Sequence, residues 1–98
     1  MYDCAYNRPV TYEWDARKSR SNRRKHGVRF SDAMSVFGDP RAITFRDEHP
    51  HEERFVTVGM DLLGRVLVVV YTWREDFIRI VSARLATARE RRDYEGSR

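Results

Sequence analysis

Two groups of residues in this sequence have the types and spacing for phosphate chemistry. The first is Lys18, Asn22, Lys25 and His26, in which positions 18, 22 and 25 fall on one face of a helix. The second is Arg74, Arg79, Ser82 and Arg84, in and beside the stretch DFIRIVSAR (76–84). Guanidinium groups suit forked recognition of phosphate, and lysine supplies a point charge. Imidazole as a class titrates near ~6.5 and so serves either to take or to give a proton. Both groups also have plain structural explanations. Cations in the last turn of a helix, as Lys25 and His26 would be, favour the negative end of its dipole. Each arginine is equally well explained by an acidic partner such as Glu53, Glu75 or Asp76.

The second group raises a geometric question. Arg79 and Arg84 sit inside or at the end of an apolar run made by Phe77, Ile78, Ile80 and Val81. Strand alternation sends Phe77, Arg79, Val81 and Ala83 one way and Ile78, Ile80, Ser82 and Arg84 the other. The two arginines share a face only if a bulge intervenes or Arg84 lies past the strand end.

The elements that must carry these groups follow from pattern and punctuation. Val10, Tyr12 and Trp14 alternate as a short strand. Asp15 is an N-cap, and the polar run to His26 stops at Gly27. This predicted helix has almost no apolar residue besides Ala16, so an ordinary apolar stripe cannot dock it. Ser31 is placed as the cap of a second, short helix with Ala33, Met34 and Phe37 inward, stopped by Gly38-Asp39-Pro40. Ala42–Phe45 reads as a strand and 46–53 as a charged turn. Phe55–Met60, Leu67–Tyr71 and Phe77–Ala83 read as three strands joined by hairpin-sized links, an antiparallel meander. VLVVV, apolar at every position, predicts a central strand covered on both faces. Thr87 with Glu90 forms a capping box that opens a last helix reaching about Tyr94. The expected fold is one α+β domain over residues 1–98, an antiparallel sheet with two N-terminal helices and one C-terminal helix packed on it. Residues 1–9 are expected to form a loose N-terminal segment.

Bulk properties narrow the function. With 98 residues and 41% hydrophobic content, the chain can bury one modest core. No apolar run approaches the ~18 residues of a membrane span, and the start has no secretion-signal pattern. One cysteine, Cys4, fits a reducing cytoplasm. The net charge of +4 is uneven: residues 14–30 hold seven basic groups against Asp15 alone. Such a segment is suited to a polyanion. His49 and His51 lack a second ligand pair, no glycine-rich phosphate loop is present, and no metal or cofactor is expected. On residues alone, a nuclease, a non-catalytic nucleic-acid-binding module and a protein-interaction domain all remain possible.

Several motifs in order resemble the BrnT toxins of bacterial type II toxin–antitoxin systems, a branch of the RelE-like ribonucleases. They are EWD (13–15), the series Lys18, Asn22, Lys25, His26 and Gly27, F.DA..VFGDP (30–40) and EERFVTVG (52–59). RVLVVVYT (65–72), RIVSAR (79–84) and AT..ER..YE (86–95) complete the match. Leu85 departs from it, since the family carries a basic residue there. The resemblance implies a small RelE-like fold, RNA cleavage that inhibits translation and growth, and neutralisation by a BrnA-type antitoxin. A dimeric DNA-binding antitoxin would give a 2:2 complex, with promoter DNA bound only through that complex. RNA carries its own nucleophile, the 2′-hydroxyl, so such an enzyme needs orientation and charge stabilisation rather than a metal. On this basis Arg79 and Arg84 hold the phosphate with Ser82 as a nearby donor. Lys18, Asn22, Lys25 and His26 form a facing wall, and Arg74 and Tyr94 contact the substrate. The proton carrier is left open among His26, Lys25, Lys18 and Tyr94.

Overall fold

The computed structural model describes residues 11–96; Cys4, the predicted loose segment 1–9 and Val10 lie outside the described residues. The elements are β1 (Thr11–Glu13), α1 (Ala16–His26), α2 (Phe30–Ala33), a 3₁₀ turn (Met34–Gly38), β2 (Ile43–Asp47), β3 (Arg54–Met60), β4 (Val66–Arg74), β5 (Phe77–Leu85) and α3 (Ala88–Gly96). The five strands form one sheet in the order β1-β5-β4-β3-β2. Strands β2 to β5 are the antiparallel meander that the short links require. β1 runs parallel to β5, Thr11 opposite Phe77 and Glu13 opposite Arg79. The sheet is therefore mixed, and the expectation of a purely antiparallel one is corrected. The reason is topological: the chain leaves β1 through the helices, enters the sheet at its far edge and returns strand by strand. No local signal marks a pairing between strands so distant in sequence.

Strand β4 is central, as its unbroken apolar run predicts, with Val66–Val69 all buried. One sheet face builds the main core from Phe30, Val36, Leu67, Val69, Ile78 and Ile80, all essentially inaccessible. Tyr71 is edge-on to Phe37 on this face, with ring centroids 4.9 Å apart. The other face carries Val56, Val58, Val66 and Val68, with Ala86 and Tyr94 closing it from the C-terminal side.

The helix punctuation is mostly local. Asp15 Oδ1 accepts from the backbone N–H of Arg17 (2.8 Å) and Lys18 (3.0 Å), and Gly27 ends α1 in the left-handed region at φ 71°. The capping box is present: Thr87 N–H donates to Glu90 Oε1 at 2.8 Å, and Glu90 N–H to Thr87 Oγ1 at 3.1 Å. Ser31 is not the cap of α2. That helix starts two residues earlier, capped from Arg29, because burial of Val28 and Phe30 fixes where the chain turns into the core. After α2 the chain crosses to β2 through Asp39, whose carboxylate ties three elements together. Oδ2 accepts from Met60 N–H (2.8 Å) and the Tyr94 hydroxyl (2.5 Å), and Oδ1 from Arg41 N–H (2.9 Å). Burial pushes the Asp39 carboxyl up, but the Tyr94 hydroxyl and these N–H groups together hold it below its usual range. Among the described residues no helix is long and apolar enough to cross a membrane.

Candidate active site

The β4–β5 ladder contains the bulge on which the sequence argument turned. Tyr71 pairs with Ile80 and Val70 with Ser82, which leaves Val81 as the extra residue on β5. Ile78, Ile80 and Ala83 all enter the same core, although strict alternation would separate Ile80 from Ala83. The same one-residue slip places Arg79, Ser82 and Arg84 together on the opposite face, opposite Thr72, Val70 and Val68 of β4.

Beyond Arg79, β1 no longer covers the outer edge of β5, and α1 takes its place without an apolar stripe. The side chain of Asn22 does what a neighbouring strand would do. Its Oδ1 accepts from Ala83 N–H at 3.1 Å, while Nδ2 donates to Ala83 C=O at 2.7 Å and to Val28 C=O at 3.1 Å. Asn22 is only 6% exposed, and both of its amide hydrogens are used inside the protein. The helix face predicted from positions 18, 22 and 25 is thus real, but its middle member anchors α1 to the sheet.

With α1 held there, Lys18, Ser21, Lys25 and His26 face Val81 and Ser82 across a cleft of about 210 Å³. A second cleft of about 360 Å³ adjoins it, lined by Lys18, Glu52, Thr72, Arg74, Arg79 and Val81 along with Trp73. Lys18 and the bulged Val81 belong to both. Eight of the nine residues singled out in the sequence therefore divide plainly: Lys18, Asn22, Lys25, His26 and Ser82 line the first cleft, and Lys18, Arg74 and Arg79 the second, while Arg84 lines neither. The ninth, Tyr94, is buried against Asp39 and forms part of a separate apolar groove with Ile43, Phe45 and Val58.

Both β5 arginines have carboxylate partners, and neither partner is Glu53, Glu75 or Asp76. Arg79 Nη1 donates to Glu13 Oε2 at 2.5 Å, directly across the parallel β1–β5 pairing. Arg84 is gripped at both ends of its fork by Glu90, at 2.7 and 2.9 Å. The Arg84 guanidinium holds Glu90 at a pKa of about 2, helped by the Thr87 N–H, and Glu90 in turn raises Arg84. Glu13 escaped the sequence reading because only the parallel pairing brings it to Arg79. Glu90 had a readable cap role, but nothing local tied it to Arg84. The sequence reading also missed Ser21, Glu52 and Thr72 as lining residues.

Chemically, the paired clefts offer an anion the cations of Lys18, Lys25, Arg74 and Arg79, an imidazole at His26 and a hydroxyl at Ser82. Among the described residues Glu52 is the only acid lining them, and its carboxyl is held below its usual range chiefly by a hydrogen bond from Arg54. A phosphate-sized group between the α1 wall and the β5 face meets positive charge from two elements at once.

Comparison with known proteins agrees with this arrangement of elements. A family model described as the ribonuclease toxin BrnT of type II toxin–antitoxin systems matches residues 14–90. No curated protein matches the sequence. Among solved structures, the 1.1 Å crystal structure of the Brucella abortus ribonuclease toxin BrnT is similar in fold, with a TM-score of 0.64 and 21% identity. The match covers 81% of this chain and 99% of that one. The family model spans both clefts, from Trp14 through the bulged β5 to Glu90. The chain belongs to the BrnT family of type II toxin–antitoxin ribonuclease toxins.

Proposed function

We propose that this chain is a metal-independent endoribonuclease of RelE-like architecture, which cleaves RNA in the cytoplasm and so inhibits translation and growth. The observation that carries the reading is Lys18: it lies in both clefts and joins the α1 wall to the β5 face at the Val81 bulge. RNA brings the attacking 2′-hydroxyl, and the protein must align it, stabilise the phosphorane and protonate the leaving 5′-oxygen. Lys18, Arg74 and Arg79 supply the stabilising charge, and Ser82 donates a hydrogen bond from the sheet. His26 carries the proton, with Lys25 beside it in the same cleft. Asn22 acts by holding α1 in place, and Tyr94 by holding α3. Arg84 meets the substrate on the Ser82 face. Arg79 stays effective beside Glu13 because a doubly charged transition state attracts it more strongly than one half-buried carboxylate does.

The reading extends to a partner. A BrnA-type antitoxin, itself a dimeric DNA-binding protein, would cover the basic clefts with acidic residues and yield a 2:2 complex that binds promoter DNA. The test is incubation of pure protein with RNA in EDTA, beside Lys18→Ala and Arg79→Ala variants whose melting curves match the parent. Cleavage by the parent that falls about 10²-fold or more in the variants supports the nuclease. Salt-sensitive RNA binding without cleavage makes the protein a binding module instead.

A further inference from the structure

Glu90 opens α3 as the third residue of its capping box, yet its carboxylate also reaches back to β5. Arg84 Nη1 donates to Oε1 at 2.7 Å and Nη2 to Oε2 at 2.9 Å, and a second Nη1 hydrogen goes to the Leu85 carbonyl at 3.3 Å. A guanidinium has two forks, one at its end (Nη1 with Nη2) and one along its side (Nε with Nη2). Glu90 fills the end fork. The side fork keeps Nε–H and one Nη2–H unbonded among the described residues, and its spacing matches two oxygens of a phosphate. The Arg84 side chain is 40% exposed, on the face that the bulge gives it in common with Ser82.

A lone surface arginine samples many rotamers, and ordering it on the substrate costs free energy at the moment of reaction. Here the guanidinium plane is fixed beforehand by a carboxylate on a capped helix start. We propose that Glu90 is a positioning residue of the nuclease site: by gripping the end fork of Arg84 it aims the side fork at an RNA phosphate lying over Ser82. This rests on the ribonuclease reading above. It also explains why α3 is pinned to the sheet at this strand: the Glu90 carboxylate ties the guanidinium to the substrate face.

Three variants separate positioning from folding. Glu90→Gln removes the charge but keeps an oxygen for the Thr87 N–H. Thr87→Ala weakens the helix start without touching the Arg84 pair. The exchange Arg84→Glu with Glu90→Arg rebuilds a pair in reverse. With kcat and KM measured on one RNA in EDTA, Glu90→Gln lowers kcat about 10–100-fold with KM within roughly threefold. Thr87→Ala keeps kcat within about threefold, and the exchange raises the melting temperature above that of Arg84→Glu alone without restoring kcat. Parent-level kcat in Glu90→Gln overturns the proposal. So does a raised kcat, which would make Glu90 a mask, and so does an equal loss in Thr87→Ala. A parent that cleaves no RNA overturns the ribonuclease reading itself, and this one with it.

Discussion

Replacing Asn22 by alanine tests how α1 is built onto the sheet. The substitution removes three hydrogen bonds, of 2.7, 3.1 and 3.1 Å, at a residue 6% exposed. It leaves Ala83 N–H, Ala83 C=O and Val28 C=O facing a space without partners, and Ala83 and Val28 are both fully buried. A buried polar group stripped of its partner costs ~1–3 kcal/mol, and some water entry at the sheet edge will offset part of that. The expected loss is about 2–4 kcal/mol, which for a domain of this size lowers the melting temperature by roughly 10–25 °C. Urea titration followed by circular dichroism measures it, and amide exchange at Ala83 reports it locally. Asn22→Asp is the sharper variant, since it keeps an acceptor for Ala83 N–H but sets a carboxylate against two carbonyls. It is expected to lose at least as much as Asn22→Ala. A loss below about 1 kcal/mol, with Ala83 exchange unchanged, would refute the reasoning and return Asn22 to the substrate.

Acid stability and packing give two further expectations. Glu90 is held at about 2 against an ordinary 4.5, so its contribution is complete above the ordinary value and is lost as pH falls from about 4.5 toward 2. At full value that displacement is worth ~3 kcal/mol, but the side chain is 33% exposed and screening leaves about 1–2 kcal/mol. Parent and Glu90→Gln stabilities, compared from pH 7 to pH 2.5, should therefore converge toward the acid end; a constant gap contradicts the assignment. Gly59→Ala would place a Cβ 2.9 Å from Val36 Cγ1 and 3.0 Å from Ala42 Cβ, where β3 passes under the 3₁₀ turn. Overpacking of this kind costs ~1–3 kcal/mol, and thermal melting at an unchanged stability would show that the turn yields freely.

Local chemistry made much of this molecule readable. Asp15, Gly27, the Thr87–Glu90 box and the VLVVV run each state their role within a few residues, and each takes that role in the structure. What the sequence could not convey was contact across long separations. The parallel pairing of β1 with β5 turned an expected antiparallel sheet into a mixed one and supplied Glu13 to Arg79. The Val81 bulge depends on how two strands register; strand parity shows only that the two arginines share a face if a bulge intervenes or Arg84 lies past the strand end. Asn22 shows a subtler limit. Its spacing with Lys18 and Lys25 marked a shared face correctly, but spacing cannot tell whether a polar side chain on that face meets a substrate or the backbone of a bare strand edge.

The central claim is that the α1 cations and the β5 guanidinium act on one phosphate. A double-mutant cycle on RNA cleavage in EDTA, with Lys25→Ala, Arg79→Ala and the pair, measures this directly. If they share a transition state, the double variant loses clearly less than the product of the single losses, a coupling of at least ~1 kcal/mol, or about fivefold in kcat/KM. Losses that multiply independently, or single variants within twofold of the parent, would contradict it.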